Sequence, residues 1–223
     1  MNIVSTPSQT IDTSALVADF CQSSSSTYDV LVGIGLDKSS DAVFFQYKGD
    51  EQKVALMQKN GKPVSRIYPV QITGVKIEEN PYANSGFTGC KLNIEFTTQA
   101  GKVVCLTSGL TTMWSQCMMI CLSGLMNQNA LDHLVAIDSW KGDSKYGTCL
   151  AAIRDNGIKV TDQAMYDTLV VCRAMKDKEK KQKRLEDVLR DTVSCVDHVL
   201  QRTFDTEVIE VQEVPALVEE ENF

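Results

Sequence analysis

The sequence predicts a mainly β fold with helices, and three observations predict it. Between residues 28 and 160, short β-rich runs alternate with turn residues. One strongly apolar helical run interrupts them. After Val160 the apolar residues recur at helical 3/4 spacing. The 223 residues carry 22 Lys+Arg and 29 Asp+Glu and are 43% hydrophobic. Such a chain is one domain with extensions, or two small ones, with a real core. The longest unbroken apolar run, Cys117 to Leu122, is far below the ~20 residues a bilayer requires. Residues 1–13 show no basic residue and no apolar signal region. A cytoplasmic protein without membrane contact is the expectation.

Taken in order, residues 1–27 are polar and Ser-rich and read as a flexible arm, with room for a short helix over Thr13 to Cys21. Residues 28–66 form an additional β segment: Val30 to Ile34, Ala42 to Tyr47, and a short third run, Val54 to Met57, before the turn at Asn60-Gly61. Residues 67–160 are the clearest region. Val70 to Ile77 is β-rich. Cys90 to Thr97 alternates strictly, placing Cys90, Leu92, Ile94 and Phe96 on one face. A turn at Gln99-Ala100-Gly101 leads into Lys102 to Thr107, which makes a hairpin. Thr111 or Thr112 caps a helix, Met113 to Met126, that is apolar nearly all round. Strands Leu134 to Trp140 and Tyr146 to Arg154 follow, then the turn Asp155-Asn156-Gly157. Strand, strand, strand, helix, strand, strand is the order of an OB-fold, a five-stranded Greek-key barrel with the helix plugging its open end. Phe96 and Trp114 are assigned to its core.

Residues 161–204 read as a helical segment, with Thr161 or Asp162 as N-cap. Its stripe runs through Met165, Leu169 and Cys172, then Leu185, Val188, Leu189, Val193, Val196 and Leu200. The stripe packs on the barrel or on a second copy. Residues 205–223 lose periodicity, contain Pro215 and read as a disordered acidic tail.

Charge is unevenly placed. The net charge is −7, yet Asp205 to Phe223 holds seven acids and no base, and the remainder has 22 bases and 22 acids. Arg173 to Arg184 holds seven bases against two acids. Such asymmetry suits a nucleic-acid binder with an interaction tail, and equally a solvated helix and tail.

The eight cysteines are dispersed, without a CxxC pair, so neither a disulfide framework nor a zinc site is indicated. Neither His133 nor His198 lies in a ligand or triad motif. Gly33-Ile34-Gly35 lacks the third glycine of a dinucleotide fingerprint and reads as a kinked strand. No catalytic residue, metal or cofactor is expected.

Binding chemistry is better represented. Single strands are held by cations that follow the backbone and by rings on which bases stack. The candidate cations are Lys76, Lys91, Lys102, Lys141, Lys145 and Arg154; the candidate rings are Tyr82, Phe87, Trp140 and Tyr146. Tyr82 and Phe87 lie in the first barrel loop. Trp140-Lys141 and Lys145-Tyr146 flank the loop between strands four and five, and both loops contact ligand in OB-folds. The run Glu219, Glu220, Glu221 with Phe223 suits capture by a basic pocket on a partner.

Body and tail together resemble the single-stranded DNA-binding proteins of bacteria, phages and plasmids, over Ile67 to Val160 by architecture and Glu219 to Phe223 by tail chemistry. The resemblance implies sequence-tolerant single-stranded DNA binding in replication, recombination and repair, with the tail recruiting replication and repair proteins. Glu221 and Asn222 stand where Asp and then Pro usually precede the final Phe, and residues 161–204 have no counterpart in the bacterial pattern, which suggests a phage-like or plasmid-like form or a different oligomerisation mode. The alternative is a non-catalytic assembly module that uses the Leu185 to Leu200 stripe as a dimer interface. A homo-oligomer is compatible with both.

Overall fold

In the computed structural model, residues 10–12, 28–36, 41–48, 52–79, 89–98, 101–143 and 147–210 are described. The elements are β1 (Thr10–Asp12), β2 (Val30–Ile34), β3 (Phe44–Lys48), β4 (Gln52–Ala55), β5 (Arg66–Glu78), β6 (Lys91–Thr97) and β7 (Val103–Gly109). They continue with α1 (Met113–Asn127), β8 (Val135–Gly142), β9 (Thr148–Asp155), β10 (Ile158–Lys159), α2 (Gln163–Ala174) and α3 (Lys178–Glu210). The fold is mainly β with helices, as its patterning predicts. Nine strands run in the order β10-β9-β8-β5-β6-β7-β2-β3-β4, and β1 joins β5 in parallel.

Strand β5 is the hinge of the sheet. Its inward residues Ile67, Val70, Ile72 and Val75 are at most 1% exposed. They are spaced by three, two and three residues, where a regular strand would step by two. The two longer steps coincide with register shifts at Ile67/Val70 and Ile72/Gly74. Each extra residue bends the strand. The first part of β5 therefore pairs with β8 and the second with β6.

The sheet does not close, which corrects the expectation of a five-stranded barrel. Closure would lay β7 beside β9. Instead β7 gives its second edge to β2, in parallel from Val30↔Val104 to Gly33↔Thr107. Val30 and Val32 are fully buried, so β2 brings apolar side chains into the core at this seam. Just beyond β2, the Gly35 carbonyl accepts from the Cys149 thiol of β9 at 3.0 Å. Ile153 N–H of β9 points at Cys121 Sγ of α1, at 3.4 Å. Residues 28–66 thus extend the sheet. The turn at Asn156 and Gly157, both with positive φ, closes the β9–β10 hairpin as expected.

Thr112 caps α1, its hydroxyl accepting from Ser115 N–H at 3.3 Å. This helix is apolar nearly all round because it packs against β9, α2 and α3. Trp114 is fully buried, and its indole N–H donates to Ser139 Oγ at 2.8 Å. Phe96 is likewise buried. At Gly124 the helix meets the backbone of Thr161 so closely that a Cβ would lie 2.9 Å from its carbonyl carbon and oxygen. Asp162 caps α2, accepting from Met165 N–H at 3.1 Å, and accepts from Ser123 Oγ of α1 at 2.6 Å.

Helices α2 and α3 form a hairpin turning at Met175 to Asp177. Leu185, Leu189, Val193, Val196 and Leu200 are at most 5% exposed and share one core with Ile72, Val75 and Leu122. The stripe expected as a dimer interface is inside the chain's own core. Asp197 Oδ1 accepts from Val75 N–H at 3.4 Å, beside the second bulge of β5. Arg190 donates to Glu79, to Glu186 and to Cys90 Sγ, tying α3 to the end of β5. That hydrogen bond holds the Glu79 carboxyl down to about 2. Helix α3 continues to Glu210, past the boundary expected at residue 204, because its hydrogen bonding outlasts its apolar stripe. Residues 211–223 lie outside the described residues.

Candidate nucleic-acid interface

Two outward faces carry the expected cations, and they differ. Directly opposed residues of antiparallel strands project to the same side. On β5, β8 and β9, Ile67, Ile137 and Ile153 point inward and are fully buried. The outward set is therefore Arg66, opposite Asp138, then Trp140, opposite Leu150, and Arg154, opposite Ala136. Lys159 of β10 continues the row beside Arg154. Tyr68, two residues beyond Arg66, is 48% exposed, and Trp140 is 40% exposed. From the strand rise and spacing, the two rings stand roughly 14 Å apart, far enough to take different bases. A cleft of about 640 Å³ opens beside Trp140, bounded by Asp41, Val64, Ser65, Ser139 and Lys141.

Between the rings sits a charge cluster. Arg66 grips Asp138 through both Nε and Nη2, the latter at 2.8 Å. Arg154 Nε donates to Asp138 Oδ2 at 2.7 Å and Nη1 to the Gly157 carbonyl at 3.2 Å. Burial works to raise the Asp138 carboxyl, but hydrogen bonds from Arg66 and Arg154 overcome it and hold it below the ordinary aspartate value. The Asp138 hydrogen bond raises Arg66 further. Two guanidiniums and one carboxylate leave one positive charge, with Lys159 exposed alongside.

The outward face of β5, β6 and β7 is neutralised internally. Lys76 Nζ lies 3.0 Å from Glu95 Oε2, and Tyr28 OH donates to Glu95 Oε1 at 2.7 Å. Asn93 Nδ2 donates to Glu78 Oε2 at 3.3 Å. Burial pushes the Lys91 ammonium below its ordinary value, with Glu78 opposing. Burial also pushes the Cys105 thiol up to about 12. Lys102 sits at the β6–β7 turn, its N–H donating to Thr98 Oγ1 at 3.1 Å.

The structure therefore brings Trp140 and Arg154 onto one face and places Lys76 and Lys91 on another. Lys141 lies by the cleft, 3.6 Å from Asp41. Tyr82, Phe87, Lys145, Tyr146 and the tail residues Glu219, Glu220, Glu221 and Phe223 lie outside the described residues. Arg66, Tyr68, Asp138 and Lys159 of this face are not among the residues expected from the sequence. The alternation Arg66-Ile67-Tyr68 is the signal that finds the first two, and a boundary drawn between residues 66 and 67 hid it. Among the described residues, no three His, Cys, Asp or Glu side chains are placed to hold a metal, and no helix is long and apolar enough to cross a membrane. No protein-family model, curated protein or solved structure matches this chain.

Proposed function

We propose that this chain binds single-stranded nucleic acid, DNA in the first instance, on the outward face of β5, β8 and β9. One observation carries the reading: two exposed rings, Tyr68 and Trp140, flank a net positive cluster on a single sheet face. Aromatic stacking is sequence-tolerant, since every base has a π-face, and the arginines supply phosphate contacts. The connectivity supports it too. Strands β5, β6, β7, helix α1, then β8 and β9, with β5 shared between two halves of the sheet, follow the OB-fold order with β2 at the seam. The β6–β7 face, the usual ligand surface of that fold, is here occupied by its own ion pairs, so the strand is assigned to the neighbouring face. Glu219, Glu220, Glu221 and Phe223 recruit replication and repair proteins in this reading, and the protein acts without catalysis.

The test is fluorescence anisotropy of a labelled oligonucleotide, single strand against duplex, at two salt concentrations. Trp140→Ala and Tyr68→Ala each weaken single-strand binding by 1–3 kcal/mol, about 5- to 150-fold, with little change in melting temperature. Lys76→Ala has the smaller effect. Undiminished binding by the double ring variant, or no binding by the intact chain at low salt, overturns the reading.

A further inference from the structure

The cationic corner between α2 and α3 is unused by the sheet face. Lys176, Lys178, Lys180, Lys183 and Arg184 are all exposed there. Among the described residues only Lys180 has an ion-pair partner, Asp177 at 3.8 Å. Beside them α2 exposes Tyr166 at 45%, Val170 at 41% and Val171 at 68%. This surface mixes net positive charge with apolar side chains. The chain itself contains the complementary sequence. Residues 211–221 carry Glu213, Glu219, Glu220 and Glu221, no base, and the interleaved Val211, Val214, Leu217 and Val218.

Geometry decides which copy of that segment fits. Helix α3 spans 33 residues, Lys178 to Glu210. At 1.5 Å per residue, Lys178 and Lys183 lie about 48 Å and about 40 Å from its far end. Glu219 to Glu221 are nine to eleven residues beyond Glu210. A fully stretched chain covers at most ~3.6 Å per residue, so these acids reach about 32–40 Å even when laid straight back along the helix. Within one chain their backbone stops about 8 Å short of Lys178 even at full extension, so only a chain drawn straight, with both side chains outstretched, would close the gap.

We propose that residues 211–221 of one copy dock on the α2–α3 corner of a second copy, so that the acidic segment links chains rather than folding back on its own. The inference does not depend on nucleic-acid binding.

Carbodiimide cross-linking of an equal mixture of isotopically heavy and light full-length chains tests it. Glu219, Glu220 or Glu221 joins Lys176, Lys178 or Lys180, and heavy–light pairs are as frequent as like–like pairs. In sedimentation velocity, self-association weakens at least about tenfold between roughly 0.05 M and 0.5 M salt, as screening of exposed charges requires. A corner variant (Lys180→Glu, Lys183→Glu, Arg184→Glu) and a tail variant (Glu219→Lys, Glu220→Lys, Glu221→Lys) each lose association. Mixing the two restores it, because the reversed corner now meets a reversed tail. Cross-links confined to like–like pairs, or a mixture of two folded variants that stays monomeric, overturns the proposal.

Discussion

Asp138→Asn separates the two roles of the charge cluster. The carboxylate accepts three hydrogen bonds from guanidinium nitrogens: two from Arg66 and one from Arg154. Its side chain is 13% exposed, with Arg66 at 22% and Arg154 at 36%. An amide keeps one acceptor oxygen and turns the other position into a donor facing a cation. Losing charged hydrogen bonds costs roughly 1.5–3 kcal/mol each, and discounting for the half-exposed Arg154 leaves about 2 kcal/mol in total. For a chain of this size that lowers the melting temperature by roughly 4–8 °C. Binding moves the opposite way. The face gains one net positive charge, and one further phosphate contact steepens the salt dependence of single-strand affinity by about 0.7 in log–log slope. At roughly 0.1 M salt the same relation corresponds to about fivefold tighter binding. Calorimetry reads the first quantity and anisotropy over a salt series the second. A folded variant whose affinity falls, or whose salt slope is unchanged, refutes the assignment of the strand to this face.

Other consequences follow from the packing. Gly124→Ala places a Cβ against the Thr161 backbone, which cannot yield as a side-chain tip can, and urea unfolding reads a loss of about 1–3 kcal/mol. Leu189→Ala removes a fully buried side chain and costs roughly 2–5 kcal/mol, whereas Val171→Ala, 68% exposed, stays within about 0.5 kcal/mol; equal losses would contradict the assignment of the stripe to the core. Asp162, held below the ordinary aspartate value first by the Ser123 hydrogen bond, and Asp138 both stabilise the folded state when ionised. Their contribution is complete above the unfolded value of about 4 and is lost as pH falls through the lower folded values, so the urea midpoint drops below roughly pH 4 and Asp162→Asn flattens part of that drop.

The strictly alternating β6 was legible because one face, Leu92, Ile94 and Phe96, is buried throughout, and the apolar α1 because it is packed on several sides, so hydrophobic pattern and structure coincide. The capping threonine and the Asn-Gly turn were legible for the same local reason. β5 was harder. Its bulges break the period of two, so two of its inward steps span three residues; Arg66 fell outside the segment read as barrel, and Tyr68 outside the run read as its first strand. The open seam was not legible, because β2 and β9 are both short apolar strands and either could lie beside β7. That choice is made by tertiary packing. The α3 stripe showed its period but not its partner: an apolar face reads the same whether it covers its own sheet or another chain.

The parallel pairing of β2 with β7 also sets an order of events at the ribosome. Val30 is synthesised about 70 residues before its partner Val104, an interval of several seconds at ordinary elongation rates. Through that interval the β2–β3–β4 meander has its own antiparallel ladder, while the edge that will meet β7 waits uncovered. Newborn chains crowded on one message would present like edges to one another, and edge-to-edge pairing is the hazard such strands carry. Slowing translation between residues 35 and 100 should therefore lower the soluble yield more than slowing it after residue 110.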